Sequence, residues 1–438
     1  MPRHRIVRTS PVARSARVKQ LEGMFDLPPS KRSEVSWNVD LPIDQKPWQI
    51  GLIHGPSGCG KSTIAKTFFG DRLIAGFPWT EGRAIVDDFP ETMGIKDITA
   101  LLSSVGFSSP PAWLRPFGCL SNGEQFRVTL ARALAESPDL AVIDEFTSVV
   151  DRTVARIGSA AVAKAIRARP GTRFVAVACH DDIVDWLQPD WTYEPHTGEF
   201  RWRSVQPRPR ITLRIERVSV EAWGQFAHHH YLNASLKPQA ECFLGTVDGR
   251  PATFAAVISS PNGVGQWRES RLVCLPDFQG VGLGQAMSAA VGSIFRVMGD
   301  RYYSRTGHPA MIAHRYKSPH WRVTARATAI PTAHVWSQGV DTSGRKRQDR
   351  AAMGRLTAGF EYVGPALDAD LARRVRRVDL TDLVRTYPHR TREKYLELAR
   401  IPLSLFQRWE REELAAGRLR RLGSGRGTDR YTYRLADG

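Results

Sequence analysis

The chain has 438 residues, a formal net charge of +18, 42% hydrophobic residues and 24% charged residues. That length holds two or three domains with cores of their own, and those fractions exclude a fibrous or wholly disordered protein. So large a positive excess attracts polyanions, nucleic acid first and an anionic membrane surface second.

The five cysteines (Cys59, Cys119, Cys179, Cys242, Cys274) are odd in number, scattered and without metal-ligand spacing. They point to a reducing, intracellular setting rather than a disulfide framework. The start is basic but lacks the apolar stretch of a secretory signal. No run approaches the roughly 18 apolar residues that a spanning helix needs, so the expectation is a soluble protein with no membrane partner.

In chain order, the first chemistry lies at Gln49–His54, a short buried-strand pattern. It runs straight into Gly55-Pro56-Ser57-Gly58-Cys59-Gly60-Lys61-Ser62-Thr63, a full GxxxxGK[ST] ahead of a predicted helix. Glycines there let backbone N–H groups crowd around a β-phosphate at a helix N-terminus, which already favours anions. Lys61 adds a point charge for the β- and γ-phosphates, and the Ser62 hydroxyl is placed to ligate Mg²⁺. ATP with Mg²⁺ is the cofactor this pattern implies.

Further on, Asp139–Glu145 is an apolar strand ending in two carboxylates. Asp144 is a candidate for the magnesium shell and Glu145 for orienting or deprotonating the attacking water. Between these motifs stands Leu120-Ser121-Asn122-Gly123-Glu124-Gln125, followed by a helical run with Phe126, Leu130 and Leu134. It resembles the LSGGQ signature of the ABC ATPases, with Asn122 and Glu124 departing from the commonest form. Ser148-Val149-Val150-Asp151 resembles that family's D-loop. His180, after the strand Phe174–Ala178, resembles its switch histidine.

Two features depart from the family. Ser121 follows Lys61 by only 60 residues (121 − 61), so the arm that grips transmembrane subunits looks shortened. Where the family's Q-loop glutamine falls, this chain has Asp87-Asp88; Asp88 either reaches Mg²⁺ through water or closes a surface turn. Phe25 is the candidate for stacking on adenine, with simple core packing as its alternative. The resemblance implies a homodimer in which Ser121 and Gly123 of one subunit cap the nucleotide held by the other.

A Pro/Arg linker, Gln206-Pro207-Arg208-Pro209-Arg210, separates this ATPase domain (1–204) from a second (205–368). There a strand over Arg268–Pro276 leads into Gln279-Gly280-Val281-Gly282-Leu283-Gly284 and then a small-residue helix. A strand pair at Glu241–Ile258, a strand at Tyr302–Thr306 and a late one at Gly359–Val363 complete the pattern. The order resembles the acyl-coenzyme A loop of the GNAT acetyltransferases. It implies that Gln279, Gly280, Gly282 and Gly284 hold the pyrophosphate of acetyl-coenzyme A or a related acyl thioester. His230, Tyr231, Tyr303 and His308 are the acid–base candidates, each with a polar-surface or packing role as its alternative. The His-Tyr run also resembles, over a few residues, phage GNAT-fold enzymes that modify adenine in DNA.

The last segment (369–438) is basic, with 17 Lys or Arg against 9 Asp or Glu from Leu371 onward. Helices over Thr391–Arg400 and Leu403–Ala416 precede a hairpin around Gly423–Gly427. This resembles a winged helix-turn-helix in which Gln407, Arg408 and Arg411 face outward and Arg426 sits on the wing. A small dimerisation module is the alternative.

The expected architecture is therefore α/β: a P-loop ABC ATPase domain, a GNAT-like mixed-sheet domain and a small winged-helix domain. The ABC–acetyltransferase order resembles fusions of phages and prophages, and it implies a cytoplasmic protein of a bacterial or phage-infected cell. The expected function is ATP-driven, acyl-coenzyme A-dependent modification of nucleic acid, DNA ahead of RNA. Its rivals are a DNA-remodelling ATPase with a non-catalytic second domain, a protein N-acetyltransferase, and an ATP-sensing transcriptional regulator.

Overall fold

The computed structural model describes residues 4–203, 208–230, 235–260, 265–330, 355–376, 384, 389–399, 403–423, 425 and 431–435. The predicted linker residues Gln206 and Pro207, the candidate Tyr231, the polar stretch 337–348 and the wing residue Arg426 lie outside them. The chain divides into two compact units, residues 1–108 with 112–210, and residues 109–111 with 211–438.

The first unit opens with β1 (His4–Pro11), helix α1 (Ala16–Phe25) and β2 (Arg32–Val39). The two strands pair antiparallel along their whole length, from His4 opposite Val39 to Pro11 opposite Arg32. Ser15 caps α1 by accepting from the Val18 N–H, yet no residue of α1 is buried. The main sheet follows, built of β3 (Ile50–His54), β4 (Leu73–Ile74), β5 (Leu140–Ile143), β6 (Arg173–Ala178), β7 (Trp191–Glu194) and β8 (Glu199–Trp202). Its order is β4-β5-β6-β3-β7-β8, parallel except for the final β7–β8 hairpin.

Parallel strands covered on both faces read as continuous apolar runs, as β3 and β6 do. Ile53, Val142 and Val175 pack with Ile64 and Ala65 of α2 (Lys61–Phe69). Leu52, Ile143 and Phe174 pack with residues of α3 (Ile95–Ser104), α5 (Asn122–Glu136) and α6 (Arg152–Arg167). A short α4 (Pro110–Trp113) lies between α3 and α5, and α7 (Val184–Leu187) between β6 and β7. Asp190 pins the start of β3: its Oδ2 accepts from the N–H of Gln49 (2.7 Å) and Ile50 (2.9 Å), and Arg167 clasps both its oxygens.

The second unit holds a seven-stranded sheet in the order β14-β15-β13-β12-β11-β10-β9. Its strands are β9 (Arg214–Val218), β10 (Glu241–Val247), β11 (Arg250–Ser259), β12 (Gln266–Cys274), β13 (Arg301–Thr306), β14 (Trp321–Ile330) and β15 (Arg355–Tyr362). All neighbours are antiparallel except β12 and β13. One face packs on α8 (Leu283–Val297) and α9 (Pro309–Lys317) through Met287, Val291, Phe295, Tyr302 and Phe360. Over β10 to β12 the other face is covered by Trp223 and Phe226 from the 3₁₀ turns that follow β9.

Helix α10 (Ala369–Arg376), grouped on sequence with the C-terminal domain, belongs to this sheet. Ala372 enters its core, and Arg376 forms a bidentate pair with Glu241 (2.9 and 3.0 Å) and a bond to Asp300 (2.8 Å). Beyond it, α11 (Arg392–Ala399), α12 (Leu403–Ala415) and the hairpin β16 (Leu419–Leu422)–β17 (Thr432–Leu435) gather around Tyr395, Phe406, Trp409 and Tyr433. Arg408 does not point outward as predicted. With Glu412 of the same helix face it lines a pocket of about 260 Å³ against Val297, Met298 and Ala369.

Candidate functional site

The phosphate loop leaves the carboxyl end of β3, where parallel sheets open a crevice. Gly55, Gly58 and Gly60 take φ of 139°, 81° and 98°, a region that side-chain-bearing residues avoid. Lys61 is 7% exposed and donates to the carbonyls of Gly55 and Pro56, both at 2.9 Å, so its ammonium spans the concavity a phosphate would fill. Ser57, Gly58 and Thr63 are part of this loop and the turn that follows it.

Ser62 Oγ donates to Asp144 Oδ1 at 3.0 Å, which brings together the hydroxyl and carboxylate that would share a divalent ion. Among the described residues no group of three or more His, Cys, Asp or Glu could hold a metal by itself.

Glu145 follows Asp144 in a strained turn, with φ +49° at Glu145 and +68° at the β-branched, buried Thr147. Its backbone N–H donates to Asp144 Oδ1 (3.0 Å), and its Oε2 accepts from Ser148 Oγ (2.6 Å). The predicted D-loop serine thus aims the carboxylate of the predicted water-orienting residue. Asp151 ends that loop as the N-cap of α6, accepting from Thr153 and Val154.

Ser121 is the exposed N-cap of α5, and the departure at Glu124 explains itself there. Glu124 Oε2 accepts from the Ser121 N–H (2.9 Å) while Ser121 Oγ accepts from the Glu124 N–H (3.3 Å), a reciprocal capping box. Gly123, in the first turn, accepts at its carbonyl from the fully buried Arg127 (3.0 Å).

At two positions the structure bears on the alternatives. Asp88 spends both oxygens on Thr80, at 3.0 Å to its N–H and 2.7 Å to its hydroxyl, which is the surface-turn reading. Phe25 ends α1 at 65% exposure, which removes core packing as its alternative. The aromatic held against the loop is Trp37 of β2, whose indole N–H donates to the Cys59 carbonyl at 2.8 Å. A Cβ on Gly60 would fall 2.4 Å from that indole, so glycine is required there twice over.

Sequence reading also missed a polar group behind the loop. His54 is 7% exposed, with Nδ1 2.7 Å from Asp181 Oδ1 and Nε2 3.8 Å from Glu194 Oε1. His196 Nε2 stands 3.8 Å from the other Glu194 oxygen. Asp181 is the residue after His180, which is itself exposed at the start of a 3₁₀ turn. The switch position is thereby tied to the root of the phosphate loop.

In the second unit, β12 pairs with β13 only from Gln266 to Glu269, opposite Arg301 to Ser304. Beyond Glu269 the β12–β13 ladder ends, while β12 runs on to Cys274 beside β11. The glycine loop follows that strand end, held by Gln279 Nε2 donating to the Cys274 carbonyl at 2.8 Å. Gly280 and Gly282 adopt φ of 92° and 95°, and Gly282 is the N-cap of the fifteen-residue α8, with open space where its Cβ would be. Gly284 sits in the first turn. Two positive-φ glycines at a helix N-terminus are a geometry that could hold an anionic group.

At the parting point Glu269 accepts from Ser288 Oγ (2.5 Å), Tyr302 OH (2.8 Å), Ser304 Oγ (2.6 Å) and Arg315 Nη2 (3.3 Å). Arg315 is fully buried, 4.0 Å from the Trp321 ring centroid. Burial, then the neighbouring Glu269, drives the Tyr302 phenol well above its ordinary pKa. So saturated a carboxylate acts as a rivet across β12, β13, α8 and α9 rather than as a base. Of the acid–base candidates, His230 is 8% exposed with its ring edge-on to Trp223, at 5.7 Å between centroids. Tyr303 is half-buried on β13, and His308 precedes α9.

No family model matches the chain. Curated relatives include a zinc import ATP-binding protein of Pseudomonas aeruginosa, 31% identical over 133 residues, or 26% of this chain and 49% of that protein. A molybdenum import ATP-binding protein of Rhodobacter capsulatus is 26% identical over 155 residues, covering 26% of this chain and 41% of its own length. The chain thus spans about half the length of the curated relatives it matches. These likenesses indicate an ABC-type ATPase domain. Among the described residues no helix is long and apolar enough to cross a membrane.

Solved structures that overlap the chain include an IAA acetyltransferase from Bacillus cereus, with TM-score 0.27 and 11% identity over 34% of this chain and 99% of that one. An ATP-binding cassette of an ABC transporter overlaps at TM-score 0.29 and 16% identity, over 37% and 82%. Overlaps this slight do not bear on function.

Proposed function

We propose that the chain is an ATP-hydrolysing protein of the ABC type whose second unit transfers an acyl group from an acyl-coenzyme A to an amine on nucleic acid. What carries the reading is the coincidence, at one end of β12, of the end of the β12–β13 ladder and a glycine loop at the N-terminus of α8. The loop would offer N–H groups to the ligand's diphosphate. The thioester supplies the activated acyl group. The chain must hold it, take a proton from the attacking amine and give one to the leaving thiolate, each worth roughly 10²–10⁴-fold. His230, Tyr303 and His308, with Tyr231, are the residues proposed for those transfers.

In the first unit, Lys61 and the loop N–H groups hold the triphosphate, Ser62 and Asp144 the magnesium, and Glu145 the attacking water, with His180 sensing the γ-phosphate. Ser121, exposed at the N-cap of α5, and Gly123, buried in its first turn, would cap the nucleotide of a second copy, giving a homodimer that closes on ATP. A base inside a duplex is unreachable without extrusion, and that is the work proposed for the ATPase.

The test is nucleoside mass spectrometry on cells expressing the wild type or Glu145→Gln. An adduct present only with the wild type is expected, and its absence from both overturns nucleic acid modification. The burial of His230 against Trp223 favours a second reading, a remodelling ATPase whose second unit binds without transfer. DNA-stimulated hydrolysis with no adduct would select it.

A further inference from the structure

One surface of the second unit enters the reading above only through Tyr303, an acid–base candidate there and a stacking ring here. The register places Arg268, Tyr303, Glu361 and Arg322 in a single line across β12, β13, β15 and β14, and partners in register share a face. Arg268 is also opposite Ile258, so this is the face away from α8 and α9. Arg301 and Arg305 stand two residues either side of Tyr303 and therefore on the same face.

The four arginines are exposed. The one carboxylate among them, Glu361, is 5% exposed; it accepts from Arg301 at 2.8 and 3.0 Å and from Arg322. Burial works to raise the Glu361 pKa, but the two guanidiniums hold it below its ordinary value, so it stays charged. Four cations against one anion leave a net of +3 (4 − 1) on a strip four strands wide. Over β10–β12 the same face is roofed by Trp223 and Phe226, but among the described residues no apolar cluster roofs it over β13, β15 and β14.

A sheet face bearing exposed arginines with an aromatic at its centre suits one partner. Guanidiniums bind phosphate bidentately, and a half-buried tyrosine offers a ring on which a base can stack. The Arg301 guanidinium lies 5.1 Å from the Tyr303 ring centroid, adding cationic character to that platform. A duplex hides its base faces, whereas a single strand exposes them. Position matters as well: Arg268 stands one residue before the point where β12 and β13 part. A strand lying on this face is led to the place where the β12–β13 ladder ends.

We propose that this face binds single-stranded nucleic acid, with Arg268, Arg301, Arg305 and Arg322 on phosphates and Tyr303 beneath a base. It is the acceptor-docking surface of the transferase, and in that it rests on the function proposed above.

The test uses the full chain and a fluorescein-labelled single-stranded 20-mer, with anisotropy followed between 50 and 200 mM salt. R268Q/R305Q removes two phosphate contacts without touching Glu361. It should lower the slope of log K against log salt by about 1.4, at roughly 0.7 per phosphate. R268K/R305K keeps the charge and should keep the slope, which excludes misfolding as the cause. Unchanged slope in R268Q/R305Q, with the wild type binding normally, overturns this surface alone. A wild type that ignores the oligonucleotide but sediments with phosphatidylserine vesicles overturns it in favour of a lipid partner. Acyl-coenzyme A binding, measured separately, should persist in both variants; its absence from the wild type instead removes the transferase reading.

Discussion

His54 shows how one side chain can join two motifs. Its Nδ1 lies 2.7 Å from Asp181, so the backbone that carries His180 is anchored to the strand that launches the phosphate loop. His54→Ala should release that anchor while leaving Lys61 and the loop N–H groups in place. The expected result is a kcat lowered about tenfold, the worth of one hydrogen bond to a charged group, with ATP affinity little changed. His54→Asn, which keeps an N–H near the Nδ1 position, should restore most of the rate. If affinity instead falls as far as kcat, His54 props the loop itself and the link to His180 is wrong.

Asp190 makes a second claim at this scale. Burial raises its pKa, but hydrogen bonds from Arg167 and from the N–H groups of Gln49 and Ile50 outweigh that and hold it below its ordinary value. A depressed carboxyl contributes stability that is full above the unfolded pKa, about 4, and is lost as pH falls through the folded one. Asp190→Asn should therefore destabilise at neutral pH and lose its effect below that range. Chemical denaturation at pH 7 and pH 3 would read it, and an equal deficit at both rejects the charge argument.

Among elements, those fixed by local chemistry were legible. The phosphate loop, the strand–acid ends, α5 and the glycine loop before α8 each follow from a turn or cap encoded within about ten residues. Trp37 was passed over because a tryptophan in an alternating strand carries no mark of what it will touch. Its partner, the Cys59 carbonyl, lies 22 residues on. His54 and Asp181 are 127 residues apart, and Glu241 and Arg376 are 135, so strand order rather than sequence decides that they meet. That is also why α10 was assigned to the wrong side of a boundary.

The Glu269 rivet is the same kind of feature, and it can be tested. Glu269→Gln leaves Arg315 buried without its counter-charge, a loss of about 3 kcal/mol for a broken buried pair. Because the rivet fixes where β12 leaves β13, acyl-coenzyme A affinity should fall along with the melting temperature. Lowered stability with unaltered affinity would detach the rivet from the cleft.

Across the whole molecule, two compact units each carry a glycine loop at the N-terminus of a helix, α2 in one and α8 in the other, and each is proposed as an anion cradle. A ligand that binds only the folded form of a unit stabilises that unit by mass action, about 2.7 kcal/mol at a hundredfold excess over Kd. For units of this size that is a rise of roughly 5–10 °C. Calorimetry of the full chain should therefore resolve two transitions. Magnesium–ATP should move one of them and acyl-coenzyme A the other. Lys61→Ala, which removes the ammonium from the first cradle, should abolish the ATP shift while leaving the acyl-coenzyme A shift intact. If one transition responds to both ligands, or if Lys61→Ala silences both, the two cradles do not act as separate sites and the division of labour proposed here fails.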